Sequence, residues 1–401
     1  MSSIAIKPSN AEETKIKITL QVRDFSLPKQ NHLTCFATIR VKWFLPRYYG
    51  ISFPNQLYSQ IASFLLDYRI GPGTFHVIPG LVDINKKPLN FSLFDEATSS
   101  LLKKGMNEFA IGKNEFWRYN RENYNSLSNI YEHLREKGWL DKALAYLIDE
   151  CQPTDYEAFK RAAEAIKKLC PGLKRVHTVL GAFPASIAGN EEIWGTNLSD
   201  WDRDQTIYNN EQKQGKKIWW FINKAALYPY PNWFINESAV NHRILFWMAW
   251  KYKIDGVCGW GADAWLKVTK NQGQTSFNNN YFYFGSPLGY AGNGSLYYPG
   301  PDKTQIPSIR LENIRDGLED YEYFCVLKEQ IKELEKRGNN KTLLDESVKV
   351  MDLISSLIIT PKHYCRNIPK LYEVREKVAS QIEKIKAFLQ LTSVHNSTKE
   401  L

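Results

Sequence analysis

The stretch Tyr146-Leu147-Ile148-Asp149-Glu150 decides how this chain is read. It is a short apolar run that ends in two adjacent carboxylates. Before it, residues 124–137 place Leu127, Ile130, Tyr131 and Leu134 on one helical face, and Gly138 ends that helix. After it come a polar loop with Pro153 and a helical pattern over 154–169, closed by Pro171 and Gly172. A strand flanked by helices and ending in acids is the unit of a parallel α/β protein, which keeps its chemistry at the carboxyl ends of its strands. Two acids in unlike environments are also the minimum equipment for cleaving a glycosidic bond.

Working outward, the alternation continues in both directions. Ile16, Ile18, Leu20 and Val22 alternate with polar residues and predict a strand within 15–27. Further strands are expected at 75–78, 108–111, 143–149, 175–180, 192–197, 217–222 and 255–260, with helices at 54–67, 95–104, 203–214 and 239–252 between them. From 262 to 305 the chain is rich in Gly, Asn and Tyr, which marks a long loop of the kind that is usually functional. This pattern predicts an α/β protein, a (β/α)8 TIM barrel over residues 15–330 preceded by a loose tail at 1–14. Helices at 342–358 and 370–390 predict a small C-terminal helical extension over 331–401, packed on the barrel or offering a surface for oligomer formation. The rival is a doubly wound open sheet. No GxGxxG follows a strand, so a nucleotide site has no support.

Composition narrows the function. Hydrophobic content of 43% and charged content of 24% fit a globular chain in water. Aromatic content is high, with 12 Trp and 22 Tyr, which suits either a large core or a cleft that stacks rings on sugar. The net charge is +9, but the basic residues are dispersed and form no run of five, which argues against nucleic acid as a partner. The six cysteines form no CxxC pair, so linear spacing suggests neither a zinc site nor a disulfide framework, and no cofactor or metal is expected. Cys151 beside Glu150 reads as packing. No run of 18 apolar residues exists, so no membrane span is expected, and the opening residues lack the apolar core of a signal peptide, so the chain as it stands reads as cytoplasmic.

Two segments then become recognisable. The run from Pro307 to Tyr323, with Arg315-Asp316-Gly317-Leu318-Glu319-Asp320-Tyr321-Glu322-Tyr323 at its centre, closely resembles the hallmark of the glycoside hydrolase family 123 catalytic domain. Pro231-Asn232-Trp233-Phe234-Ile235, the 243–252 helix, and Asp255-Gly256-Val257 running into Trp260 resemble the same family. The resemblance implies a (β/α)8 barrel that hydrolyses β-linked N-acetylhexosaminides, N-acetylgalactosaminides in characterised members. It also implies retention through substrate assistance, in which the acetamido oxygen attacks the anomeric carbon and forms an oxazolinium ion. Carried over, Glu150 protonates the leaving oxygen and then activates water, and Asp149 holds and polarises the acetamido group. Relatives often place proline directly after the glutamate; here Cys151 and Gln152 intervene before Pro153, so the loop is longer.

The remaining site expectations follow from position. Trp260, at the end of the last strand, is the first candidate for stacking on a sugar ring. Trp219 and Asn223 belong to another strand or its end, and Tyr228 and Trp233 lie in the Pro-rich loop beyond it. Arg69 is a candidate for a sugar hydroxyl or for an ion pair. His177 and His242 sit on apolar elements and read as structural, and the acids and arginines of the 310–321 segment read as a network that locks the helix after the barrel. Asp95-Glu96 reads as first-turn helix acids. Adjacent strand residues point to opposite faces, so Asp149 and Glu150 converge only if the strand end splays. Two further readings stay open: a catalytically silent, glycan-binding barrel, and a glycosidase acting on a sugar without an acetamido group, with Asp149 as nucleophile.

Overall fold

The computed structural model describes residues 2–39, 55–73, 89–111, 122–264, 292–338 and 340–397. Among them, β1 (Ser2–Ile6) and β2 (Thr14–Ile18) form an antiparallel hairpin, and β3 (Thr34–Ala37) opens the main sheet. Helices α1 (Asn55–Asp67) and α2 (Ser92–Lys104) precede β4 (Phe109–Ala110). Helix α3 (Glu122–Glu136), β5 (Ala143–Tyr146), α4 (Tyr156–Leu169) and β6 (Lys174–Val179) follow. Then come β7 (Ile193–Thr196), α5 (Leu198–Arg203), α6 (Gln205–Lys213), β8 (Lys217–Ile222), α7 (Ala239–Tyr252) and β9 (Gly256–Gly259). A second hairpin, β10 (Tyr297–Pro299) with β11 (Gln305–Pro307), leads into α8 (Ile309–Arg337), α9 (Lys341–Ser356) and α10 (Ile368–Ser397).

The main sheet has seven parallel strands in the order β3-β9-β8-β7-β6-β5-β4. From β4 to β9 each strand lies beside its successor, and β9 then pairs with β3, the first. An open doubly wound sheet reverses its order at a switch point; this one does not, and a sheet that joins its first strand to its last must curl. Gly71 bridges Phe36 in parallel on the free side of β3, which continues the ring by one position. The molecule is therefore a mixed α/β fold around a curled parallel half-barrel.

Two cores confirm the curl. Phe36, Ala110, Leu144, Tyr146, Val176, Ile193, Trp219, Phe221 and Cys258 form one cluster, drawn from all seven strands. Their period of two within β5 and β8 shows that they share the concave face. The alternate positions, such as Ala145, Trp194, Ile218, Trp220 and Val257, join the helices in a larger outer core. Space inside the curl is tight: a Cβ on Gly256 would meet the Trp219 ring at 2.6 Å, and one on Gly195 would meet Phe221 at 2.5 Å.

The sequence expectations need three corrections here. The first strand of the sheet is β3, not residues 15–27. Alternating Ile16 and Ile18 mark a strand that is exposed along its length, whereas a strand buried on both faces reads as the continuous run Leu33-Thr34-Cys35-Phe36-Ala37. The expected loose tail at 1–14 contains β1 and the first residue of β2, because backbone pairing from Ser2↔Ile18 to Ile6↔Thr14 orders it. Helix α8 runs unbroken through the expected boundary at 330/331. The strand expected at 75–78 lies outside the described residues.

Helix α8 is anchored at both ends and in its middle. Ser308 caps it, its Oγ accepting the Leu311 N–H at 3.2 Å. In the middle, Asp320 is fully buried and accepts from Arg243 Nε at 2.6 Å, Arg243 Nη2 at 2.8 Å, Trp247 Nε1 at 2.8 Å and Arg375 Nε at 2.8 Å. One carboxylate thus ties α8 to α7 and α10. The locking network read from 310–321 is present.

Candidate active site

The acids stand at the carboxyl end of β5. Leu147 and Ile148 continue the buried run past the last paired residue, Asp149 is half-buried, and Glu150 is exposed. Ile148 packs in the outer core, and its carbonyl lies 3.2 Å from Nδ1 of the buried His177. Asp149 turns the other way, onto the inner face. Its Oδ1 accepts from the Tyr146 hydroxyl at 2.5 Å and from Thr178 Oγ1 at 3.0 Å. Tyr146 and Thr178 stand on neighbouring strands, their oxygens 2.8 Å apart. Both are inner-face positions, so the sheet itself aims two hydroxyls at one carboxylate oxygen.

Glu150 then turns the chain. Its φ is +46°, the left-handed region that costs a non-glycine residue roughly 1–2 kcal/mol. Its N–H donates to Thr178 Oγ1 at 2.9 Å, and its carbonyl accepts from Gln152 Nε2 at 2.9 Å. Strand alternation has already ended before this residue, since β5 stops at Tyr146 and the neighbours Leu147 and Ile148 both pack in the outer core. Burial holds the Tyr146 phenol well above its usual range, with the Asp149 charge next and Glu150 adding to it. That phenol stays a proton donor at any physiological pH, and both carboxylates act on it.

The aromatic candidates divide. Trp260 follows β9, is half-buried, and donates from Nε1 to Asn293 Oδ1 at 2.6 Å. Trp233 is 4% exposed and lies against Gly259; with Ile222, Asn293, Gly294 and Phe234 it lines a small pocket at the carboxyl ends of β8 and β9. Its buried indole N–H has no acceptor among the described residues. Asn223, at the end of β8, closes a turn by accepting the Ala225 N–H at 2.9 Å, and its carbonyl accepts from Asn232 Nδ2 at 2.8 Å. These three loops meet at the same end of the sheet as Asp149.

Three candidates stand elsewhere. Trp219 is 1% exposed in the inner core, edge-to-face with Phe36 at 5.7 Å, so it fills the curl and cannot stack on a ligand. Arg69 precedes the Gly71 position and so lies at the amino end of the sheet. It donates to the Pro28 carbonyl at 3.0 Å and to Asn31 Oδ1 at 3.1 Å, with Glu319 3.6 Å away. Its ion-pairing reading holds and its sugar-binding reading fails, because helix-to-strand turns lie opposite the active end. Tyr228 is exposed and faces the C-terminal segment, where Arg366 donates to its hydroxyl at 3.1 Å and stacks over its ring.

The structural readings of the histidines agree with their surroundings. His177 and His242 are buried, each with one ring nitrogen at a backbone carbonyl, Ile148 or Phe234, and burial lowers both to about 4. Asp95 lies in the first turn of α2 and pairs with His133 and Lys137. Cys151 is buried, and all six cysteines are free thiols. Sequence reading missed Tyr146 and Thr178 as partners of Asp149. Tyr146 lies three residues away and is only a strand residue in sequence; Thr178 has no sequence signal at all.

Comparison with known proteins follows the same line. The family model described as Glycoside hydrolase 123, catalytic domain matches residues 49–327. No curated protein matches the sequence. Among solved structures, a family 123 glycoside hydrolase from Clostridium perfringens, described in connection with glycolipid glycan hydrolysis, aligns with a TM-score of 0.62 at 15% identity, over 100% of this chain and 76% of that one. A glucosidase from Croceicoccus marinus aligns with a TM-score of 0.40 at 14% identity, over 73% of this chain and 67% of that one, too distant to carry weight. The family match spans well over half of the sequence, and the chain belongs to the glycoside hydrolase 123 family.

Proposed function

We propose that this glycoside hydrolase is a retaining β-N-acetylhexosaminidase, acting on terminal β-linked N-acetylgalactosamine or N-acetylglucosamine with the substrate's own acetamido oxygen as nucleophile. The observation that carries the reading is the unequal setting of the two acids. Asp149 is turned onto the inner face and accepts two hydroxyl protons on one oxygen, which fixes its direction. That suits a group that holds and polarises an acetamide N–H. Glu150 is exposed at the rim beyond a broken strand end. Exposure leaves that carboxyl within reach of both the leaving oxygen and water, as the acid and base of this mechanism must be. Trp260 stacks on the sugar in this reading, with Asn223 and Trp233 in the neighbouring loops. The ring closes between the Gly71 segment and β4 to complete a (β/α)8 barrel. By analogy with the Clostridium perfringens enzyme, a glycolipid glycan is the first natural substrate to try.

The test is turnover of aryl β-N-acetylgalactosaminide and β-N-acetylglucosaminide, with a thiazoline mimic of the oxazolinium ion as inhibitor. Glu150→Gln should lose about 10²–10⁴-fold in kcat on substrates with poor leaving groups, and the mimic should inhibit the wild type tightly. A wild type inert on both sugars, or an undiminished Glu150→Gln, would overturn the reading. A glycosyl-enzyme trapped on Asp149 would instead establish a glycosidase for sugars without the acetamido group.

A further inference from the structure

The amino end of the sheet, opposite the acids, holds a second cluster of chemistry. His32 lies just before β3. Glu322 and Cys325 lie one turn apart on α8, on the face turned toward it. One ligand atom from each of these three residues falls within 4.8 Å of the others. The Glu322 carboxylate is fully buried: Oε1 accepts the His32 N–H at 2.8 Å, and Oε2 shares a proton with His32 Nδ1 at 2.6 Å. Two turns on, Glu329 Oε1 stands 3.5 Å from His32 Nε2.

Two features of this cluster call for a cation. A buried carboxylate is costly unless it is paired and hydrogen-bonded, and among the described residues Glu322 pairs with no lysine or arginine, only with the half-exposed His32 ring. The Cys325 thiol is buried beside it and makes no hydrogen bond among the described residues. One imidazole, one carboxylate and one thiol form the mixed N, O and S set that four-coordinate zinc accepts. The exposed His32 leaves a way in from solvent.

We propose that His32, Glu322 and Cys325 form a structural site for a divalent cation of borderline softness, zinc in the first instance, with Glu329 or water completing the shell. Binding releases the thiol proton and the proton shared by His32 and Glu322, and puts metal bonds in their place. The ion would clamp the middle of α8 to the segment entering β3. It has no part in glycoside cleavage, since it lies at the other end of the sheet.

The experiment uses the full chain stripped with a chelator and titrated with Zn2+ or Co2+ alone. One equivalent of Co2+ should give a cysteinate charge-transfer band with tetrahedral ligand-field bands. Zn2+ should displace it and raise the unfolding midpoint. Cys325→Ser should abolish the charge-transfer band, and Cys325→Ser and His32→Ala should each weaken Zn2+ binding at least about 10-fold, the lower end of what loss even of a supporting group costs. X-ray absorption at the zinc edge of the wild type should read one sulfur among nitrogen and oxygen neighbours, which keeps the test independent of how the variants fold. No saturable binding, a zinc shell without sulfur, or a cobalt–sulfur band that survives Cys325→Ser would overturn the proposal.

Discussion

Tyr146→Phe deletes one oxygen and leaves the inner face of the sheet packed, so it removes the hydrogen bond that Asp149 accepts at 2.5 Å together with the 2.8 Å contact to Thr178 Oγ1. A hydrogen bond to a charged group contributes about 1.5–3 kcal/mol. We expect kcat/KM on the aryl β-N-acetylhexosaminide to fall about 10- to 100-fold, with a loss of stability of at most that size. Unchanged kinetics would show that Asp149 needs no orientation by the strand. Residue-scale burial also sets a pH dependence of stability. His177 and His242 are lowered from 6.5 to about 4, chiefly by burial. The unfolded chain therefore takes up protons first on acidification, and stability is lost as pH falls from about 6.5 toward 4, by up to about 2 kcal/mol per histidine at pH near 5. Glu191 runs the other way. Burial raises it from 4.5 to about 7, against Lys216 and the Gly189 and Asn190 N–H groups. Its contribution is present below about pH 4.5 and is lost as pH rises through about 7. Urea unfolding at stepped pH should show Glu191→Gln flattening the decline between about pH 5 and 7; an identical slope in the variant would refute the assignment. The acid pair was legible at this scale because two neighbouring carboxylates after an apolar run are local facts. Thr178 was not, because only the pairing of β5 with β6 brings it to Asp149.

At the scale of elements, the three-way lock on Asp320 makes a sharp prediction. Asp320→Ala leaves Arg243, which is 5% exposed, without its main counter-charge, with Asp316 at 3.5 Å as a weak substitute. Removing one partner of a buried pair costs about 3–5 kcal/mol. Denaturant unfolding should show a loss of that size, and one below about 1 kcal/mol would mean that the helices pack without the lock. Gly317 tests the α7–α8 crossing, since a Cβ there would stand 2.3 Å from the Phe246 ring and 2.8 Å from the Arg243 carbonyl. Gly317→Ala should therefore cost about 1–3 kcal/mol from overpacking, despite alanine's better helix propensity; a stabilised variant would refute the close crossing. Helices were read well from sequence because a stripe of period 3.6 over many residues is a repeated signal, as at the start of α8, or because the apolar run is too long for a strand, as in α7, which is buried from Val240 to Ala249. Strand β3 was missed because four buried residues carry no alternation, while the exposed β1–β2 hairpin carries a clear one.

At the scale of the whole molecule, residues 3–22 are exposed, Ile4, Ile16, Leu20 and Val22 among them. The chain first docks on α10 at Arg23 and Asp24, through Glu376, Glu383 and Lys386. Deleting residues 1–22 should shift the unfolding midpoint by less than a surface substitution typically does, about 0.5 kcal/mol equivalent, and leave kcat unchanged; a large drop in either would place the hairpin within the cooperative unit. By itself the sequence was enough for the α/β alternation, the helical C-terminal region and the family, because each rests on contiguous residues. Only the tertiary structure decided that Trp219 fills the inner core, that Arg69 lies at the wrong end for sugar, and that His32 meets Glu322 and Cys325. Those outcomes depend on which strand ends share a rim and which side chains fall inside the curl. They follow from pairing between residues far apart in the chain, which no local pattern records.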